Sequence, residues 1–124
     1  MSKTATLRKL VTEVLQTAAG QTYHKTAPKD AAYPYKTFTL SSVAFVEARD
    51  DQELEIDIWD RSLDQKRIEE IADEIEALLK NVTLPRPPIY PTFFRESRYN
   101  LEDPDKTLQH IQLRFLVQLY ETEE

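Results

Sequence analysis

His110-Ile111-Gln112-Leu113-Arg114-Phe115-Leu116-Val117-Gln118-Leu119-Tyr120 is the stretch that decides the fold. Ile111, Leu113, Phe115, Val117 and Leu119 take every second position, and His110, Gln112, Arg114, Gln118 and Tyr120 stand between them. A period of two places one row of side chains on each face of a strand, so this segment is a strand with one buried face. Such a strand needs neighbours along its edges and a layer over its apolar row. The nearest match is Leu54, Ile56 and Ile58, which alternate with Glu53, Glu55 and Asp57. Upstream, Tyr35 to Val46 is rich in Thr, Phe, Val and Tyr, and Phe38 and Leu40 alternate with Thr37 and Thr39. Arg49, Asp50, Asp51 and Gln52 form a polar interval, which predicts an antiparallel hairpin with its turn there. Phe93 to Tyr99 supplies a further strand, followed by a charged turn, Asn100 to Lys106, around Pro104.

Two stretches follow the helical period instead. Leu7, Leu10, Val11, Val14, Leu15 and Ala18 make one apolar stripe, which predicts a helix over about residues 4 to 19 with Gly20 at its end. Ile68, Ile71, Ala72, Ile75, Leu78 and Leu79 make a second stripe. Ser62 with Gln65 three residues on has capping-box spacing, and Asn81 is a plausible stop. Prolines 28 and 34 mark residues 21 to 33 as an irregular connection, and prolines 85, 87, 88 and 91 mark an extended connector or sheet edge. The expected fold class is α+β, in the order α-β-β-α-β-β: a four-stranded antiparallel sheet with both helices on one face, in a single domain spanning 1 to 124.

Composition excludes more than it proves. The chain has no cysteine, which removes disulfides, thiolate nucleophiles and Cys-based metal sites. Its one glycine cannot build a phosphate-cradling loop. The net charge of −6 disfavours nucleic-acid binding through phosphate contacts. No apolar run reaches the roughly 18 residues that a membrane span needs, and the first residues lack the pattern of a signal peptide. The cytosol is therefore the expected site of synthesis, with no membrane partner. His24 and His110 have no third His or Cys to complete a zinc site. A triad of Ser97, His110 and Asp105 has no local support such as a nucleophile elbow. Glu69, Asp73 and Glu76 share one side of the second helix, where a solvated face explains them as simply as a cation site does. The expectation is no enzyme, no metal and no cofactor.

Two groups of residues point to contact with other molecules. From Glu47 to Asp60 there are seven acids and one base, Arg49. Glu53, Glu55 and Asp57 project from one side of one strand, with Arg49, Asp50 and Asp51 in the turn before it. Solubility alone accounts for such a row. Alternatively, if copies form a ring with this face inward, the lumen is negative and DNA slides through without sticking. Tyr23, Tyr33, Tyr35, Tyr90, Phe93, Phe94 and Tyr99 lie beside prolines in two irregular stretches, and Tyr suits protein interfaces. Either they pack the loops or they meet a partner.

The series Tyr23, Ala27-Pro28 and Tyr33-Pro34-Tyr35 resembles the tail completion, or tail-to-head joining, proteins of long-tailed bacteriophages and prophages. So do the strand Leu54-Glu55-Ile56-Asp57-Ile58-Trp59, Ser62 with the helix after it, Arg95-Glu96, the turn at Asp103 and the strand from His110 to Tyr120. The proline-rich stretch after the second helix departs from the usual pattern. The resemblance implies a virion structural protein at the head-tail interface, assembled in the host cytoplasm. It implies a ring, commonly a hexamer, that contacts the tail tube protein and the head-tail connector protein while DNA passes through. It carries no catalytic or cofactor residues. Segments 21 to 33 and 47 to 53 are then loops that order on contact. The rival expectation is a small bacterial binding or regulatory module, a homodimer paired through its last strand as an edge.

Overall fold

The computed structural model describes residues 2–46 and 48–121. Glu47, the first acid of the run, lies outside them. Ser2 accepts a hydrogen bond from the Ala5 backbone N–H (3.1 Å) and so caps α1 (Lys3–Leu15), whose buried stripe is Leu7, Leu10, Val11 and Leu15. The helix ends earlier than its stripe predicts, because Thr17 Oγ1 donates to the Val14 carbonyl and the chain turns. Gly20 is thus not the helix's terminal glycine. It sits at φ +90° in the turn beyond, where an added Cβ would lie 2.6 Å from the Pro34 carbonyl oxygen. Residues 21 to 33 are not wholly irregular either, since Gln21–His24 forms β1, a short strand parallel to the start of β2 (Tyr35–Val46).

β2 turns back into β3 (Arg49–Arg61) as the expected antiparallel hairpin, but the polar residues 49 to 52 belong to β3 rather than to the turn. They are held there by hydrogen bonds: Ser42 Oγ and Gln52 Nε2 both donate to Asp50, at 2.7 and 3.0 Å. Most of residues 47 to 53 is therefore strand, not a loop. α2 (Lys66–Leu79) follows, and its first turn is met by Asp64, which accepts from the Lys66 N–H. The capping box between Ser62 and Gln65 does not form, since Ser62 Oγ accepts from the Asp64 N–H and the Gln65 side chain bonds Gln109. Asn81 closes the helix at φ 52°. β4 (Val82–Thr83), β5 (Ile89–Leu101) and β6 (Leu108–Glu121) complete the chain.

The expected four-stranded antiparallel sheet is corrected by this arrangement. Six strands form one mixed, curled sheet in the order β1-β2-β3-β6-β5-β4, and the element order is α-β-β-β-α-β-β-β. The two extra strands are short, and each exists only because a longer strand offers it an edge. Pro91 explains how little of β4 there is. Its carbonyl accepts from the Leu84 N–H, so its ring nitrogen faces β4 with no proton to give, and the ladder is interrupted there, resuming only as the Arg86–Ile89 bridge. β6 lies between β3 and β5 and is paired along both sides. The rival homodimer through the last strand is thereby overturned, because that strand has no free edge.

One core forms where both helices meet one face of the sheet. Leu7, Val11 and Leu15 of α1 and Ile68, Ile71, Ile75 and Leu79 of α2 pack with Leu54, Ile56 and Ile58 of β3, the alternate row of β6 and Phe93. Lys36 is fully buried at the rim of this core and donates to the carbonyls of Ala18, Ala19 and Gly20. Asp60 is also fully buried, and it is held by the forked Arg67 guanidinium and the Arg61 N–H.

Candidate functional site

The sheet's other face carries no helix among the described residues, and the alternation of β2, β3, β6 and β5 dictates what it shows. On β3 it shows Arg49, Asp51, Glu53, Glu55, Asp57 and Trp59, with Thr37, Thr39 and Ser41 beside them on β2 and His110, Gln112 and Arg114 on β6. Five of the acidic-run residues singled out in the sequence, Arg49, Asp51, Glu53, Glu55 and Asp57, therefore share this face. Asp50 does not; it points to the helix side, with Lys3 at 3.6 Å.

The acids are not bare. Arg114 reaches both Glu53 (3.2 Å) and Glu55 (3.1 Å), and Arg49 reaches Asp51 (2.8 Å). Asp57 lies 2.7 Å from His110 Nε2 and accepts from Gln112 Nε2 at 3.1 Å. Burial works against the charge on Asp57, but the hydrogen bonds from His110 and Gln112 outweigh it and hold the carboxyl below its usual range. Glu55 goes the other way: burial, then the neighbouring charge of Asp57, raises it against the pull of Arg114. As pH falls, the row thus loses charge at Glu55 before Asp57. Sequence reading missed Arg114, Gln112 and His110 as partners of these acids. The signal was present in the alternate positions of β6, but the pairing of β6 with β3 could not be read from spacing.

The tyrosines meet at the end of this face away from the hairpin tip. Tyr35 touches Tyr23 (ring centroids 6.1 Å) and Tyr33 (5.4 Å), and stacks towards Trp59 at 6.4 Å. Trp59 in turn stacks on His110 at 3.6 Å, and the Arg61 guanidinium lies over Tyr33 at 5.2 Å. The three predicted tyrosines are brought together, in a strip that continues through a tryptophan and a histidine the sequence reading did not include. Burial, then Tyr33 and Tyr23, raises the Tyr35 hydroxyl above its usual range.

The carboxylates of α2 are also engaged. Arg98 bonds Asp73 (2.7 Å) and Glu76 (2.6 Å), and Arg95 pairs with Glu76, which ties α2 to β5. Among the described residues, no group of three or more His, Asp or Glu side chains is placed to hold a metal ion. None of the described helices is long and apolar enough to cross a membrane.

A family model described as Tail completion protein gp17 matches residues 5–119. The chain belongs to this family. It is accordingly a structural protein of the phage tail and a component of the virion. No curated protein matches it. Among solved structures, a chain from the virion of a native gene transfer agent particle superposes with a TM-score of 0.66 at 11% identity. The match covers 90% of this chain and 84% of that one, and shows a shared fold.

Proposed function

We propose that this tail completion protein closes the tail tube and joins it to the head connector as a ring, commonly of six copies, with the helix-free face turned to the channel. The observation that carries the reading is the row Asp51, Glu53, Glu55 and Asp57 on a face that no helix covers. Arg114 and Arg49 offset part of that row, and the chain as a whole carries −6. A lumen of this character offers phosphates too few cations to bind, so the genome is not retained as it passes. Tyr23 and Tyr33, at the β1 end of the sheet, are placed to meet the tube or the connector, where aromatic area and a hydroxyl favour contact. Assembly takes place in the host cytoplasm, and DNA passes without specific binding.

The test is complementation of particles made without the protein. Replacing Glu53, Glu55 and Asp57 together with Lys is expected to give particles with normal tails by electron microscopy but poor DNA passage and low infectivity. The variant E53Q/E55Q/D57N, which keeps the side-chain shapes, separates charge from folding. Normal infectivity of a well-assembled Lys variant removes the lumen from the proposal.

A further inference from the structure

The sheet is covered unevenly along its two outer long strands. β1 pairs with β2 only from Tyr35 to Phe38, which leaves the eight residues Thr39 to Val46 with no neighbouring strand on that side among the described residues. β4 pairs with β5 only at Thr92 and Phe93, which leaves the eight residues Phe94 to Leu101 with no neighbouring strand on theirs among the described residues. The bare half of β2 lies towards the hairpin tip, and the bare half of β5 towards the opposite end. Exposed apolar side chains concentrate on these two segments: Val43 (55%), Phe45 (73%) and Val46 (51%) on one, Tyr99 (53%) and Leu101 (40%) on the other. The β2 segment carries no charge and no proline, the usual guards of a strand edge.

We infer that Thr39–Val46 of one copy takes up Phe94–Leu101 of the next copy as an antiparallel strand, so that the sheet runs on from protomer to protomer. The inference rests on the ring reading above and specifies how its copies meet. Strand direction favours it. β2, β3, β6 and β5 alternate in direction, so a β5 placed beside β2 continues the alternation with every copy pointing the same way. That is a head-to-tail contact, the kind that builds a ring when the rotation between copies closes.

Register favours it as well. Full overlap sets Thr39 against Leu101 and Val46 against Phe94, and all four residues face the helix-free side. Each strand carries one irregularity, between Ser42 and Ala44 and between Arg95 and Ser97. In this overlap the two irregularities fall opposite each other, so the inward and outward rows stay matched at both ends. A bulge facing an unbulged strand would throw one end out of phase. β1 stops where the incoming strand ends, and β4 stops where it begins. The cations are no obstacle, since Arg95 and Arg98 are already held by Asp73 and Glu76. Pairing β2 with another β2 about a two-fold axis would leave the β5 edge bare.

The chain lacks cysteine, so engineered pairs report cleanly. Full-length S41C/Y99C and V43C/S97C are to be added to tail tubes made without the protein and then oxidised. These positions face each other in the overlap, at separations that cross-strand pairs offer and a disulfide needs. A ladder of covalent multimers on a non-reducing gel, collapsing on reduction and absent from each single-cysteine variant, is the expected result. Rings visible by electron microscopy without a ladder from either pair overturn the strand pairing and leave the ring standing. A covalent dimer from S41C alone overturns it in favour of two-fold pairing. Neither rings nor ladders from the unmodified and doubly substituted chains overturn both.

Discussion

Replacing Lys36 with Met removes a fully buried ammonium that holds three carbonyls, those of Ala18, Ala19 and Gly20, at 3.3, 2.8 and 2.6 Å. Charged hydrogen bonds of this kind contribute about 1.5–3 kcal/mol each, while Met regains part of the loss by burying an apolar stem, so a net cost of about 3 kcal/mol at neutral pH follows. The pH dependence is the sharper test. Burial lowers the amine from its usual 10.5 to about 8, against a weaker opposing pull from Glu74. Between those values the unfolded chain holds a proton that the folded chain has released. Stability contributed by this group therefore rises as pH rises through the window, the reverse of a lysine that gains a partner on folding. With those two values, the wild type gains about 2 kcal/mol over the Met variant between about pH 7.5 and pH 9.5, since one pKa unit is worth about 1.4 kcal/mol. Urea unfolding, followed by the fluorescence of the chain's one tryptophan, Trp59, measures both proteins across that range. Other titrating groups cancel in the difference. A cost that stays flat, or grows towards low pH, refutes the reasoning: the three carbonyls would then hold Lys36 charged in spite of its burial.

Gly20→Ala combines a left-handed backbone with a Cβ placed 2.6 Å from the Pro34 oxygen, so a loss of about 2 kcal/mol or more is expected in thermal unfolding. An unchanged midpoint would show that the turn yields. Asp60→Asn breaks the fork with Arg67 at a side chain with no exposure, and is expected to cost about 3 kcal/mol in the same assay. Arg67→Met should cost at least as much, because it leaves the fully buried Asp60 carboxyl without its forked partner, whereas Asp60→Asn leaves a guanidinium that is more than half exposed to water; a much smaller loss would mean that the pair is not what anchors α2 to β3.

The parts of this molecule that were legible in its sequence are those whose signal is local. Leu7 to Ala18 and Ile68 to Leu79 repeat at the helical period, and 53 to 58 and 110 to 120 alternate, because each segment buries one side of itself. β1 and β4 were illegible because Gln21–His24 and Val82–Thr83 are too short to carry a period and are strands only by virtue of an edge distant in the chain. The place of β6 was hidden for a related reason. Its alternation shows that one face is buried but not whether one edge or both are paired. At the candidate site the acidic row and the three tyrosines were visible as residue types, and the face shared by Glu53, Glu55 and Asp57 followed from alternation; Arg49 and Asp51 were expected in a turn and join that face only because β3 begins at Arg49. Their partners Arg114, Gln112 and His110 required the β3–β6 register, which no spacing encodes. Ser62 misled because its hydroxyl is taken by the Asp64 N–H, and the Asp64 side chain, two residues nearer the helix, accepts from the Lys66 N–H instead.

The central position of β6 has a consequence for how the protein is made. During synthesis the β2–β3 hairpin leaves the ribosome early, yet the strand that belongs against β3 is residues 108–121 and emerges some fifty residues after β3 ends. Until then β3 has one open side, and Leu54, Ile56 and Ile58 have only part of their cover. Long-range pairing of this kind is slow and leaves sticky intermediates. Nascent chains on neighbouring ribosomes would expose the same unfinished edge to one another, so slower translation lengthens the interval in which they can cross-pair.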